Sequence, residues 1–368
     1  MLISVDDTRL HGDTTGYGSY HSLANLTVHI DGISKVTGYN RSLDLSNGIH
    51  TTTYSTAEGT YITSVYCSYP RQVCVYQLTS PVTLSNVSVW FDELVESRSL
   101  YNTTCGPSFA RLRGITQKGP PRGMLYDTIA QSSLPGTCDE ATGTLRISSS
   151  SSKALTLVIA AGTDFDATKG NAANGFTFRG EDPANKVQKL ASTASKIPES
   201  ELRAAHVADY GSLSSAFVLA LPDRQRSSGA EFSELITRYT ANSAAGDPFL
   251  ENLMFDYGRH LFISSSRQNS LPPNLQGIWS STQSAAWGAD YHANINLQMN
   301  MWGAEATGLG ELTVSVFNYM EQNWMPRGAE TAQLLYGGDG WVTHNEMNIF
   351  GHTGFVPNFH CCSFRLNN

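Results

Sequence analysis

The chain has 368 residues, a formal net charge of −8 and only 15% charged residues, against roughly 25% in a typical globular domain. With no run of Lys and Arg, it has no electrostatic reason to approach a phosphate backbone or an anionic membrane, and no stretch approaches the roughly 18 consecutive apolar residues of a membrane span. The length accommodates two domains and a sizeable core, at roughly 100–200 residues per domain.

The N-terminal stretch MLISVDDTRLHGDTTG lacks the basic start, apolar core and small-residue cleavage site of a signal peptide. N-x-Ser/Thr sequons nevertheless occur at Asn25, Asn40, Asn86 and Asn102, and there are six cysteines. Together they point to a secreted protein whose beginning lies outside this sequence. Cys67 and Cys74 bracket a turn-like SYPRQV segment and are expected to close a short loop; Cys105 and Cys138 form a candidate second pair. Cys361 and Cys362 are adjacent and do not readily bond each other.

Leu26, Val28 and Ile30 alternate with Asn25, Thr27 and His29, the period-two pattern of a strand with one buried face. Similar runs at 60–66, 73–78, 87–91 and 154–160, separated by Gly, Asn, Ser and Pro, predict a large antiparallel sandwich. Ser148–Ser152 reads as a solvated loop between two strands. From about residue 185 the strand signals stop. The segment around KVQKLASTASKIPESELRAAHVADY is rich in Ala, Leu, Glu and Lys, with Pro198 placed to begin a helix. Asp247 and Pro248 introduce another helix, with Leu250, Leu253, Met254, Tyr257 and Leu261 forming a stripe to be buried. A third has Leu312, Val316, Met320 and Trp324 four residues apart, and Pro326 is expected to end it.

The densest stretch is Leu271–Trp302, LPPNLQGIWSSTQSAAWGADYHANINLQMNMW. Amides and imidazole interleaved with indoles suit a sugar, which presents hydroxyls at its edge and C–H bonds on its faces. An aromatic core segment with asparagines as turns and caps is the competing reading. Trp287 and Trp341, with Gly and polar neighbours, are the sugar-stacking candidates, whereas Trp324 lies on the apolar stripe and belongs to a core. His344 and His352 lack a metal-ligand spacing and read as hydrogen-bonding groups in or near a pocket, His344 being taken as a substrate-binding candidate. Asn294 and Asn296, at i and i+2, would point to one side of an extended backbone. Their carboxamides are too weakly basic to deprotonate water, but their carbonyls can hold it in line while a carboxylate takes the proton.

The blocks LPPNLQGIW, HANINLQMNMW and GWVTHNEMNIFGHTG resemble the signature blocks of glycoside hydrolase family 95, the 1,2-α-L-fucosidases. The segments SVYCSYPRQVCVYQL, AAGTDFDATKGNAANGFTFRG and AAHVADY resemble the fungal-type branch, and the resemblance runs from about Tyr20 to Gly354. It implies an N-terminal antiparallel β-sandwich, incomplete at its start, followed by a helical linker and the first part of an (α/α)₆ barrel. It also implies inverting hydrolysis of terminal α-1,2-linked L-fucose. A glutamic acid would protonate the leaving oxygen, and an aspartate would activate water held by an Asn-x-Asn pair, here Asn294 and Asn296. By the same resemblance His292 lines the sugar pocket, as in fucose-preferring members, and Glu346 matches a sugar-binding glutamate. Asp290, beside the Asn pair, reads as structural because the family's base lies far downstream.

The implied domains are a sandwich over 1–185, a linker over 186–232 and a partial barrel over 233–368, whose tail 355–368 is unlike the family. A twelve-helix barrel needs roughly 300 residues at about 12 per helix plus connections, and less than half that follows position 232. The expectation is therefore a fragment without its general acid and base. The expected partner is a fucosylated oligosaccharide or glycan, with no cofactor, metal, nucleic acid or membrane required. Two alternatives stay open: a non-catalytic carbohydrate-binding fragment, and an α-L-galactosidase of the same family.

Overall fold

The structure is a computed structural model that describes residues 23–92, 100–116, 118–119, 122–148, 151–239, 246–275, 277–279, 291–293, 295–344, 347–351, 353 and 364–366. Among these, two antiparallel sheets form the sandwich that the alternating pattern predicts. The smaller has the order β1-β6-β11-β10, with β1 Asn25–Ile30, β6 Val87–Asp92, β10 Thr137–Asp139 and β11 Thr144–Ile147. The larger has the order β2-β3-β4-β5-β12-β9-β8-β7. Its strands are β2 Thr37–Asp44, β3 Ile49–Thr56, β4 Gly59–Ser68, β5 Val73–Thr79, β7 Tyr101–Gly106, β8 Phe109–Ile115, β9 Leu125–Ser132 and β12 Ala154–Thr163.

Leu26, Val28 and Ile30 of β1 face inward and join Leu78, Val87, Val89, Leu112, Leu145, Leu155 and Leu157 in the core between the sheets. The larger sheet is covered on its other face as well. Val75, Ile129, Val158 and Ala160 pack against Val187 and Ala191 of α1, Ala184–Ala194, and against Leu202 of α2, Glu199–Ser214. Burial on both faces explains why β9 and β12 are buried or half-buried along their length without strict alternation. On β9, fully buried Asp127 is held by Arg111, through Nε at 2.9 Å and Nη2 at 2.6 Å, and by Arg113 Nη1 at 3.2 Å. Without those partners a carboxylate there would cost several kcal/mol.

Both expected disulfides are present. Cys67 and Cys74 are direct cross-strand neighbours on β4 and β5. Cys105 on β7 bonds Cys138 on β10, joining an edge strand of one sheet to an edge strand of the other.

Pro198 immediately precedes α2, as its rigid φ favours. This helix ends in a buried polar junction with the sandwich. His206 Nε2 lies 2.8 Å from the Asn47 carbonyl, its ring stacks on Tyr66 at 4.9 Å, and the Tyr210 hydroxyl and His260 Nδ1 share a 2.9 Å hydrogen bond. Burial holds both imidazoles below their ordinary pKa, with the charge of His206 adding to the effect on His260. Burial pushes Tyr210 up to about 12.

After α3, Phe232–Arg238, Asp247 caps α4, Pro248–Ser265, accepting from the Leu250 N–H at 3.2 Å. The stripe predicted on α4 is only partly buried. Leu250 and Ile263 are inside, but Met254, Tyr257 and Leu261 are 43%, 37% and 40% exposed. The buried face instead contains Arg259, whose guanidinium donates to the carbonyls of Leu213, at 2.9 Å, and Thr307. Helical spacing shows which side chains share a side of a helix and says nothing about which side meets a neighbour.

The third helix also differs from expectation. α5 spans Asn296–Met301; after it a turn at 310–313 leads through α6, Val314–Tyr319, into α7, Met325–Tyr336, so Pro326 lies inside the helical run. Between α6 and α7 a wide turn over Met320–Trp324 has the Met325 N–H bonded to the Met320 carbonyl. That re-registration places Pro326 in the first turn of a new segment, where its missing N–H is tolerated. No described helix is long and apolar enough to cross a membrane.

Loop-closure entropy makes the Cys105–Cys138 bond, with a sequence separation of 33, worth more than the Cys67–Cys74 bond, separated by 7. Cys105→Ala is expected to cost about 3–4 kcal/mol and Cys67→Ala about 2 kcal/mol in denaturant unfolding; the reverse order would contradict this account.

The junction histidines give a pH dependence of defined sign. Their folded pKa values lie below the unfolded value of about 6.5, so the unfolded chain binds protons first as pH falls. Stability is full above about pH 7 and declines as pH drops towards the folded values. Thermal unfolding followed from pH 7.5 to 5 should show a falling Tm, and a His206→Gln, His260→Gln double variant should show a flatter profile.

Candidate functional site

The two motif blocks that carry the sugar-site reading meet on one core. The Tyr291 N–H donates to the Met347 carbonyl at 2.9 Å, which stitches HANINLQ to GWVTHNEMNIFG across more than fifty positions. Beneath that bond, Trp324 is completely buried and packs edge-on against Tyr291 and Tyr319, with ring centroids 5.2 and 5.0 Å apart. Its indole N–H donates to the Asn348 carbonyl at 3.1 Å, and Asn323 Nδ2 donates to the Ile349 carbonyl at 3.2 Å. A buried indole must find an acceptor. Here the acceptor belongs to the second motif block, so the core residue also positions the loop.

The sandwich contributes to the same core. Phe178 and Phe165 stack at 6.0 Å, and both meet Phe350 edge-on, at 5.0 and 6.2 Å. Arg327 of α7 lies 4.3 Å above the Phe176 ring. Phe176 and Phe178 both have positive φ, 52° and 51°, in the AAGTDFDATKGNAANGFTFRG segment.

His292 is half-buried with φ 52°, Ile295 is 49% exposed with φ 77°, and Asn296 is the first residue of α5. This corrects the extended segment expected for the asparagines, since a left-handed residue between them breaks the alternation. Positive φ is costly for a β-branched residue and persists only where surrounding contacts impose it. Those contacts are the buried side chains of Tyr291, Ala293 and Leu297, the Leu297 N–H to the His292 carbonyl at 3.2 Å, and Gln298 Nε2 to the Ala293 carbonyl at 2.7 Å.

His344 is buried beside α7, with Nε2 2.9 Å from the Tyr336 hydroxyl and Nδ1 2.7 Å from the Thr353 carbonyl. Both nitrogens therefore face protein groups. Trp341 is half-buried on β13, Trp341–Thr343, which packs against α7 closely enough that a Cβ on Gly328 would meet the Val342 carbonyl at 2.7 Å. Asn294, Glu346, Trp287, Asp290 and His352 lie outside the described residues. No group of three or more potential metal ligands is found among the described residues.

One residue escaped the sequence reading. Asn274, in LPPNLQG, is completely buried, its backbone carbonyl accepts from Asn300 Nδ2 of α5 at 3.2 Å, and among the described residues its own side-chain amide has no hydrogen-bond partner. Unpaired buried amides are uncommon. The only sequence signal was its position inside a motif block, because an Asn after two prolines otherwise reads as a turn.

Residues 198–364 match the "Glycosyl hydrolase family 95 catalytic domain", and residues 4–168 match the "Glycosyl hydrolase family 65, N-terminal domain". The chain is 69% identical over 358 residues to "Probable alpha-fucosidase A" of Aspergillus oryzae, covering 97% of this chain and 50% of that protein. It is 45% identical to "Probable alpha-fucosidase A" of Aspergillus niger, covering 94% and 43%, and 29% identical to "Alpha-L-fucosidase 2" of Arabidopsis thaliana, covering 86% and 39%. It thus spans about half the length, or less, of these curated relatives. Its fold is similar to that of a human-microbiome protein proposed to be a kojibiose phosphorylase, with a TM-score of 0.53 at 12% identity, over 91% of this chain and 43% of the other. These matches define a chain that joins an N-terminal β-sandwich to a helical region matching a glycosyl hydrolase catalytic-domain family. Within that class it belongs to glycosyl hydrolase family 95.

The strain at Ile295 is testable apart from activity. Ile295→Gly should stabilise the chain by about 1 kcal/mol in denaturant unfolding by relieving the positive φ. A loss of stability would mean that the exposed isoleucine side chain contributes more than its backbone costs.

Proposed function

We propose that this chain supplies one wall of the active site of an inverting α-L-fucosidase acting on terminal α-1,2-linked fucose of oligosaccharides or glycans outside the cell. The observation that carries the reading is the junction of the HANINLQ and GWVTHNEMNIFG blocks through Tyr291 and Met347. It brings together the two segments whose residues resemble the family's water-positioning and sugar-binding groups, which supports reading them as one site. In this proposal Asn294 and Asn296 hold the attacking water, His292 and Glu346 recognise fucose, and Trp287 and Trp341 offer faces for its C–H bonds. His344 positions the second block through Tyr336 and Thr353.

Asn296 is suited to its role by lying next to a strained, restrained residue, since an amide that orients water needs a backbone that does not relax. The carboxylic acid and carboxylate of an inverting reaction must stand roughly 6.5–9.5 Å apart to admit the water. No residue of this chain is matched to either. They are assigned to the part of the longer relatives beyond this sequence, which would complete an (α/α)₆ barrel over the exposed apolar side chains of α4, α5 and α7, among them Tyr257, Trp302 and Leu334.

The reading predicts no fucose release by the 368-residue chain alone. A form extended to the full length of the relatives should release β-fucose from a fucosyl-α-1,2-galactoside and prefer it to the corresponding L-galactoside. Retention of configuration, or a preference for the L-galactoside, would overturn it. Full activity of the isolated chain would overturn the assignment of acid and base.

A further inference from the structure

We infer that the sandwich carries N-linked glycans on its edge strands, at Asn25, Asn40 and Asn102, and that these glycans block sheet-to-sheet pairing with other chains. The inference rests on the extracellular reading above and goes beyond it by assigning sites and a physical role.

Among the described residues the two sheets have four edges, formed by β1 and β10 in one and by β2 and β7 in the other. Three of these strands contain a sequon: Asn25-Leu26-Thr27 on β1, Asn40-Arg41-Ser42 on β2 and Asn102-Thr103-Thr104 on β7. All three asparagines are exposed. The fourth edge, β10, is tied to β7 by the Cys105–Cys138 bond. The remaining sequon, at Asn86, immediately precedes β6, which lies between β1 and β11 and is not an edge.

An open edge offers a row of unpaired N–H and C=O groups to any other strand, and proteins usually blunt it with charge, proline or a bulge. Here charge is scarce. Edge β2 has the sequence TGYNRSLD, begins with a register irregularity between Thr37 and Asn40, and leaves Tyr39 60% exposed. A branched, hydrated oligosaccharide beside it would supply the bulk that the composition lacks.

Asn102 has a further feature. It opposes Arg113 in the β7–β8 register and borders an open groove of about 520 Å³ lined also by Thr104, Arg111, Ile115 and Leu125. With Arg111 and Arg113 held on Asp127, that groove offers the apolar floor of Ile115 and Leu125 to the first N-acetylhexosamine. The helical region, by contrast, contains no sequon, and its exposed apolar side chains, including Trp302, Phe317 and Leu334, stay free of attached sugar and able to be covered.

The modification uses a lipid pyrophosphate-linked oligosaccharide as donor. The asparagine Nδ2 forms a bond to the anomeric carbon, the bond from that carbon to the pyrophosphate oxygen breaks, the pyrophosphate leaves with the lipid, and Nδ2 loses one proton to a base of the transferase.

The test directs the 368-residue chain into the yeast secretory pathway behind a leader and maps glycopeptides by mass spectrometry. Self-association of the folded protein is then followed by light scattering before and after removal of its glycans with a glycosidase. Occupancy is expected at Asn25, Asn40 and Asn102, with a several-fold faster rise in scattering after removal. Thr27→Ala, Ser42→Ala and Thr104→Ala, which abolish the sequons while keeping each asparagine, should reproduce the rise in combination. Asn86→Gln should not.

Secreted protein with empty edge sequons, unchanged association after glycan removal, or an equal effect of Asn86→Gln would overturn the inference and leave the extracellular reading standing. Native protein found only inside the cells of the encoding organism, without glycans, would overturn both.

Discussion

The hydrogen bond from the Trp324 indole to the Asn348 carbonyl, inside a fully buried aromatic cluster, is the interaction on which the site depends. An indole this deep cannot return to water without losing most of its burial, and its N–H cannot be left unpaired without a cost of about 1–3 kcal/mol. The loop that supplies the acceptor is therefore tied to the cluster. Tyr291 touches the same ring and bonds Met347, so both motif blocks are fixed by one side chain that takes no part in chemistry. Asn348 illustrates the economy: its carbonyl receives the indole N–H while its Oδ1 accepts from the Phe350 N–H at 2.9 Å, which shapes the turn.

The sandwich has two jobs that compete for its larger sheet. One face builds the inter-sheet core, and the other carries α1 and α2 and, through His206, Tyr210 and His260, the junction with α4. Covering both faces moves the sheet's exposed polar backbone to its edges. There the structure has disulfide closure on one side and exposed N-x-Ser/Thr sequons on the outermost described strands at both ends of the larger sheet. A surface with few charges has little else with which to prevent edge pairing.

The helical region is built differently. Arg259 enters the interface between α2 and α4 by donating to helix-end carbonyls, so a charged residue occupies the buried face that the apolar stripe was expected to fill. The displaced apolar residues, Met254, Tyr257 and Leu261, remain partly exposed, and Trp302, Phe317 and Leu334 are exposed elsewhere in the helical region. Large apolar side chains left in solvent in this number are available to be covered.

Several features were legible in the residues alone because they are local. Strand alternation in β1 follows from the two faces of a pleated strand, and Asp247-Pro248 announces α4 because a capping carboxylate and a donor-free ring suit the first turn. Cys67 and Cys74 flank a hairpin and could be paired from spacing; Trp324 could be placed in a core from its stripe. The polar strands β2, TGYNRSLD, and β3, dominated by Thr and Ser, were not legible, because they lack an apolar face to report burial.

What tertiary structure alone decided has a common cause, the energetics of contacts between residues far apart in the chain. The positive φ of His292 and Ile295 is imposed by the buried side chains on either side, and intrinsic preference would have made that segment extended. Pro326 continues a helix because a wide turn upstream re-registers the hydrogen bonds. Asn274 is buried beneath α5 rather than in a solvated turn, and the outward face of α4 is set by Arg259 and its carbonyl partners. The sequence by itself determined the sandwich, the disulfides and the family. Only packing decided the shape of the wall that the two motif blocks present, because backbone strain and burial of polar groups depend on neighbours that no local pattern encodes.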